Sequence, residues 1–315
     1  MKTFRRLEDF PASYRNCVVS IGKFDGLHRG HVAILSKVVE LARAKGAPAV
    51  VFTFEPSPAR VLRPRSAPLL ICNLEQKVEL FESLGLDAVL FFPTTRDFLR
   101  RSSRDFFEDV LVNSLGAVAL VEGNNFRFGS DQASLDLLEE LCREHDVQLE
   151  ITPPVQDEGS RVSSSLVRKL ISTGNVERVQ RLLARPFQIR GVVEPGDRRG
   201  RILGYPTANL LVSYASALPK PALYAASAQT ADGSIYPAAV NLGDNPTFDV
   251  GENKIEAHLL GFSGDLYGQP LRLSFLQKLR DIVKFSSKEE LIAQMKRDVE
   301  ETLEIYARYS SRASE

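Results

Sequence analysis

The chain changes texture once, near residue 185, and that change constrains its fold more than any other feature. Before it, short apolar β-branched runs alternate with longer segments of helical spacing. The runs predict strands at Cys17–Ile21, Ala49–Phe54, Ala88–Phe92, Ala117–Glu122 and Val147–Ile151. Helices are predicted between and after them, at His31–Ala44, Leu74–Leu84, Asp105–Ser114, Leu135–His145 and Ser164–Ser172. Such alternation builds a parallel sheet covered by helices on both faces, with ligands bound beyond the carboxyl ends of its strands. After residue 185, turn signals such as Glu194-Pro195-Gly196-Asp197 and Gly264-Asp265 separate short alternating runs. These predict strands at Phe187–Val193, Leu223–Gln229, Tyr236–Leu242, Ile255–Leu260 and Pro270–Phe275. Ser287 with Glu290 forms a capping-box pattern, and Leu291, Ile292, Met295, Val299, Leu303 and Tyr306 then trace one face of a terminal helix. That face is expected to pack on the β half. A length of 315 residues agrees with two domains, placed at 1–185 and 186–315.

Charge excludes some partners. Lys plus Arg and Asp plus Glu each number 40, and the first 185 residues carry 25 basic against 24 acidic groups. Neither half is the basic surface that neutralises nucleic-acid phosphates, so no nucleic-acid partner is expected. Apolar runs such as Pro48–Phe54 fall far short of the roughly 20 residues that span a bilayer, and Met1–Arg15 lacks an apolar signal core. No membrane association is expected, and the chain reads as cytoplasmic. Cys17, Cys72 and Cys142 are odd in number and far apart, as buried free thiols would be. Composition leaves a homo-oligomer open.

The chemistry begins at Gly22-Lys23-Phe24-Asp25-Gly26-Leu27-His28-Arg29-Gly30-His31, directly after the first strand. Its glycines permit a tight turn and close backbone approach, and the helix start aims N–H groups and a positive dipole end into the turn. Phosphate suits such a site. Two imidazoles bracketing Gly30 add directional donors, although two unrelated loop histidines would look the same in isolation. No GxxxxGK[ST] loop and no protein-kinase signature occurs elsewhere in the chain.

This segment resembles the HxGH nucleotidylyltransferases. Together with Val51–Pro58, Gly123–Gly129 and Val162–Arg168, it is similar to the bacterial bifunctional riboflavin kinase/FMN adenylyltransferases. The resemblance implies a Rossmann-like nucleotidylyltransferase domain. In it, His28 and His31 hold the ATP phosphates, Gly22 and Phe24 belong to the ATP/FMN site and Asn125 helps position the flavin nucleotide. Arg161, Ser164, Ser165 and Arg168 would line the phosphate side, although Ser163–Ser165 also reads as an ordinary helix cap. Two departures stand out: Ser57 occupies a position where the family often has His, and Ser165 one where it often has Thr.

The second half extends the resemblance. Gly191–Arg201, Gly204-Tyr205-Pro206-Thr207-Ala208-Asn209, Asn241–Phe248, Ile255–His258 and Gly264–Gly268 look like the riboflavin kinase domain, which implies an antiparallel β-barrel. By that resemblance Thr207 and Asn209 bind Mg²⁺ and Glu256 is the general base for the riboflavin 5′-hydroxyl. Gly196 and Arg201 belong to a loop over the nucleotide, and Tyr267, Arg280 and Phe285 serve ATP or flavin. The residues themselves are compatible with these roles. Thr207 and Asn209, two apart in an extended stretch, point to one side, and Glu256 is a lone carboxylate in an apolar run. An exposed strand residue would also read that way. Asp281 stands where Glu is common in the family, and Ala222 where Gly is common.

The fold class expected is therefore α/β plus all-β: a parallel-sheet domain, then a barrel with a C-terminal helix. The implied reactions use riboflavin, FMN and ATP with Mg²⁺ and form FMN and then FAD. A flavin-nucleotide-binding protein with only the kinase half active is the alternative. An HxGH enzyme acting on tRNA is disfavoured by the balanced charge and by the kinase motifs.

Overall fold

The computed structural model describes residues 1–196, 204–243 and 252–313. Contacts divide the chain into two compact units, Met1–Pro68 with Asn73–Ser163, and Leu69–Cys72 with Ser164–Glu315.

In the first unit the elements run β1 (Lys2–Phe4), β2 (Val18–Ile21), α1 (Arg29–Lys45), β3 (Ala49–Phe54), α2 (Pro58–Leu62) and α3 (Leu74–Ser83). There follow β4 (Ala88–Phe92), α4 (Ser103–Phe106), a π-helix (Phe107–Ser114), β5 (Ala119–Gly123), α5 (Leu135–Glu144), β6 (Gln148–Thr152) and the short hairpin β7 (Gln156–Asp157) and β8 (Ser160–Arg161). Strands β1 to β6 form one sheet in the order β1-β4-β3-β2-β5-β6, and every pair is parallel. Val18, Val50, Val51, Val89 and Leu120 are fully buried, as expected of strands covered on both faces. The five expected strands are present, the last two displaced by one or two residues toward the carboxyl end. Strand β1 has only three residues and shows no readable alternation. The helix expected at Asp105–Ser114 starts at Ser103, capped by the Ser102 side chain, and widens to a π-helix at Phe107.

From β2 the chain crosses through α1 to β3 on one side, whereas β5 lies on the other side of β2. The carboxyl ends of β2 and β5 therefore flank the point where the winding reverses, the place where open α/β sheets bind ligands.

In the second unit α6 (Ser164–Ser172) and α7 (Val176–Leu183) precede β9 (Phe187–Glu194), β10 (Ala208–Ser213), β11 (Ala222–Gln229), β12 (Ile235–Leu242), β13 (Glu252–Leu259), β14 (Pro270–Arg280) and α8 (Lys288–Ala313). The strands close into an antiparallel barrel, β10-β13-β12-β11-β14-β9, with β9 pairing both β14 and β10. Leu210, Tyr224, Val240, Ile255, Leu273 and Phe275 are buried in its wall. In the sequence, strand β10 is legible only as an extended stretch around Thr207. Strand β14 runs five residues beyond the expected end at Phe275 and carries register shifts against β11.

Helix α8 packs on β11, β12 and β14, with Ile305 against Ala225 and Leu276. Its start corrects the expected cap: Ser287 Oγ accepts from Glu290 N–H at 3.1 Å, but the Glu290 carboxylate accepts from Ser286 N–H at 3.0 Å, one residue earlier than a capping box requires. The buried face also differs. Asp298, Thr302 and Ile305 are buried, while Leu303 is 45% exposed. The buried polar positions are held by hydrogen bonds, Asp298 to Arg280 and Thr302 Oγ1 to the Asp298 carbonyl at 2.7 Å; apolar spacing misses them and misplaces Leu303, while Leu291, Ile292, Met295, Val299 and Tyr306 are half-buried as expected.

Candidate functional site

In the first unit, the turn between β2 and α1 is strained and packed. Phe24 and Leu27 hold φ of 44° and 38°, and both side chains are buried. Their burial holds backbone that these residues rarely adopt. His28 is the N-cap of α1, its Nδ1 accepting from His31 N–H at 3.3 Å. That bond places the proton of the neutral ring on Nε2. The His28 and His31 rings stack with centroids 3.6 Å apart, and Phe24 meets His31 edge-on at 5.3 Å. A Cβ at Gly30 would lie 3.2 Å from the His28 ring and crowd it. Lys77 of α3, itself buried, donates to the Lys23 carbonyl at 3.1 Å and ties the turn to that helix.

Asn125 follows β5, and its Oδ1 accepts a short hydrogen bond from Arg161 Nη2. Both side chains are exposed. Gly22, Phe24, His28, His31, Asn125 and Arg161 all belong to this unit. Ser164, Ser165 and Arg168 belong to the second, where α6 begins and Arg168 Nε donates to the Leu69 carbonyl at 2.6 Å. Ser57 is half-buried at the N-cap of α2 and makes no side-chain cap bond. Sequence reading missed Lys77 and also Glu122, a buried carboxyl on β5 that accepts from Ile21 N–H at 2.7 Å.

In the second unit, register builds a site on the barrel wall. Asn209 on β10 and Asn241 on β12 both pair with Glu256 on β13, which puts the carboxylate between two carboxamides. Asn241 Nδ2 donates to Glu256 Oε2 at 3.4 Å. Asn209 is 5% exposed, and its Oδ1 is buried with no hydrogen-bond partner among the described residues. Gly196 passes so close that a Cβ there would collide with the Asn209 carboxamide. Arg201 lies outside the described residues.

Glu256 opens onto a cleft of about 290 Å³ also lined by Tyr205, Thr207, His258, Arg280, Phe285 and Met295. Arg280 grips Asp298 of α8 through two bonds, Nε–Oδ1 at 3.0 Å and Nη2–Oδ2 at 2.7 Å, and its guanidinium lies 5.6 Å from the Phe285 ring centroid. Gln294 supports Asp298 at 2.8 Å. His258 Nδ1 lies 2.7 Å from the Pro206 carbonyl, beside Thr207. Tyr267 is 46% exposed and does not line this cleft. Ala222 is a buried strand residue without positive φ, and Asp281, exposed, is held below the usual carboxylate range by Lys278 and Lys220. Sequence reading missed Asn241 as a partner of Glu256 and Asp298 as a partner of Arg280. Their only sequence signals are a motif asparagine and the Gln294–Asp298 spacing.

Comparison with known proteins agrees with this architecture. The FAD synthetase family model matches residues 10–166 and the riboflavin kinase family model residues 183–306. A curated bifunctional riboflavin kinase/FMN adenylyltransferase of Pseudomonas fluorescens is 36% identical over 95% of this chain and 96% of its own. Its counterpart in Escherichia coli (strain K12) is 33% identical with the same coverage. The crystal structure of a macrolide-efflux protein from Streptococcus pneumoniae superposes with a TM-score of 0.87 at 31% identity, over 95% of this chain and 97% of that one. Among the described residues here, no helix is long and apolar enough to cross a membrane. With both halves matched in order and relatives aligned along nearly the whole chain, the protein belongs to the bifunctional riboflavin kinase/FMN adenylyltransferase family.

Proposed function

We propose that this chain makes FAD in two steps: riboflavin and ATP give FMN and ADP in residues 186–315, and FMN and ATP give FAD and pyrophosphate in residues 1–185. The observation that carries the reading is the placement of Glu256 between Asn209 and Asn241 at the mouth of the cleft that also holds Arg280 and Phe285.

For the kinase step, Glu256 takes the proton of the riboflavin 5′-hydroxyl while Asn241 holds the carboxylate in orientation. Phe285, backed by Arg280, offers a ring face to the isoalloxazine. The buried Oδ1 of Asn209, without a hydrogen-bond partner among the described residues and with the Thr207 hydroxyl two residues away, fits a hard cation with oxygen ligands. Mg²⁺ bound there would neutralise ATP phosphate charge.

For adenylyl transfer no enzyme nucleophile is needed, because the FMN phosphate attacks the α-phosphate of ATP directly. Positioning and electrostatics suffice. His28, with its proton on Nε2, and the start of α1 supply donors to the triphosphate, and Arg161 with Asn125 orients the flavin nucleotide. Phosphate contacts by Ser164, Ser165 and Arg168 are part of the same proposal. Dependence on ATP suits a cytoplasmic enzyme.

Chromatography of flavins after incubation with Mg-ATP and either riboflavin or FMN tests the reading. FAD from both substrates is expected. FMN accumulating from riboflavin, with supplied FMN unconverted, would instead make the first half a binding module.

A further inference from the structure

The sheet holds a carboxyl group that the two reactions do not use. Strands β2 and β5 pair only at Val18–Ala119 and Val19–Leu120, whereas β2 stays paired with β3 up to Ile21–Phe52. Beyond Val19 the two strands part, and this is the winding reversal where the ligand crevice opens. The Ile21 N–H, which would otherwise be left without a partner on that side, is taken by Glu122 Oε1 at 2.7 Å. Glu122 thus replaces a missing ladder bond with a side chain, one residue before the Gly22 turn.

Its surroundings are apolar. Glu122 is 2% exposed. Ile151 of β6 stands opposite it in register, Ile34 of α1 lies beside the adjoining Gly123, and β2 adds the Ser20 hydroxyl. The titratable group facing it from α5 is Cys142, whose thiol is pushed up to about 12, first by burial and then by Glu122 and Glu139. No cation is recorded as a partner of Glu122 among the described residues. A carboxylate here would also stand beside the turn proposed to receive the ATP triphosphate, where negative charge opposes binding.

We propose that Glu122 is a positioning residue for adenylyl transfer, a neutral carboxylic acid that bridges the parted ends of β2 and β5 and fixes the phosphate-binding turn. The inference rests on the adenylyltransferase reading of the first half. Burial favours the same neutral form, pushing the carboxyl well above the usual carboxylate range against the bond from Ile21 N–H.

The test uses the full chain with riboflavin phosphorylation as an internal control. Glu122→Gln keeps a neutral acceptor, whereas Glu122→Ala leaves the Ile21 N–H unpaired. Expected for Glu122→Ala is a loss of roughly tenfold or more in kcat/KM for FMN adenylylation, with the kinase step unchanged. Glu122→Gln is expected to stay within about threefold of wild type in acid and to lack the fall in adenylylation expected of wild type as pH rises. Infrared difference spectra against Glu122→Gln should show a protonated-carboxyl band in wild type at neutral pH. Full activity in Glu122→Ala, equal damage in both variants, matching pH profiles or absence of the band would each overturn the proposal. Wild type unable to adenylylate FMN would instead remove the adenylyltransferase reading, and the positioning role with it.

Discussion

Glu256 illustrates how a single residue acquires a role from its neighbours across a sheet. On its strand it is an ordinary half-buried carboxylate; the register with Asn209 and Asn241 sets it between two carboxamides, the placement behind its proposed role as base. Glu256→Gln is therefore expected to lower FMN formation from riboflavin by about 10² to 10⁴ and to spare FMN adenylylation. Separate initial-rate assays of the two steps check this, and equal loss of both would remove the split assignment. Glu122 carries a second residue-scale prediction, on stability. A carboxyl whose folded pKa is raised binds more protons in the native than in the unfolded state, so its contribution is complete below the unfolded value of about 4.3 and declines as pH rises through the folded one. Wild type should thus lose stability relative to Glu122→Gln by up to about 1.4 kcal/mol per pH unit across that window. Urea unfolding of both proteins at several pH values measures it, and a constant difference would contradict the neutral form.

At the scale of elements, an ion pair helps tie α8 to the cleft. Asp298 is 6% and Arg280 25% exposed at the side chain, so the pair is largely removed from water. Removing one partner leaves the other without its counter-charge, at a cost of about 3 kcal/mol for a buried pair, and less here because Arg280 is partly solvated. Asp298→Ala should lower the Tm and raise the KM for riboflavin, since freed Arg280 no longer backs Phe285, while FMN adenylylation stays unchanged. An unaltered KM would separate helix docking from flavin binding. These elements also show what sequence can and cannot convey. Strands β3 and β4 were legible to the residue because both faces are buried and the runs are uniformly apolar. The motifs around His28 and Asn209, the basis of the proposed sites, stand out in the sequence because glycine spacing and a paired hydroxyl and amide leave local traces. The Glu256–Asn241 and Arg280–Asp298 pairs were not, because each depends on non-local register or packing. Leu303 was misread for the converse reason: buried polar residues on α8, satisfied by hydrogen bonds, break the rule that apolar spacing marks the inner face.

At the scale of the whole molecule, the two reactions need different protein groups. On the proposed assignment, adenylyl transfer draws on the imidazole pair at the start of α1 and phosphorylation on the barrel-wall triad of Asn209, Asn241 and Glu256, with no group shared. His28→Ala should abolish most FAD formation from FMN while leaving FMN formation intact, the mirror image of Glu256→Gln. A mixture of the two variants then asks whether FMN travels through solution. Each alone should convert little riboflavin to FAD. Mixed at equal concentration, the His28→Ala chains supply FMN and the Glu256→Gln chains adenylylate it, so FAD should appear after a lag that shortens as protein concentration rises. The lag is the time needed for released FMN to approach the KM of the second site, and added FMN should remove it. If each variant retains its own step yet the mixture forms no FAD, FMN does not leave the chain that made it, and the two steps are coupled within one molecule.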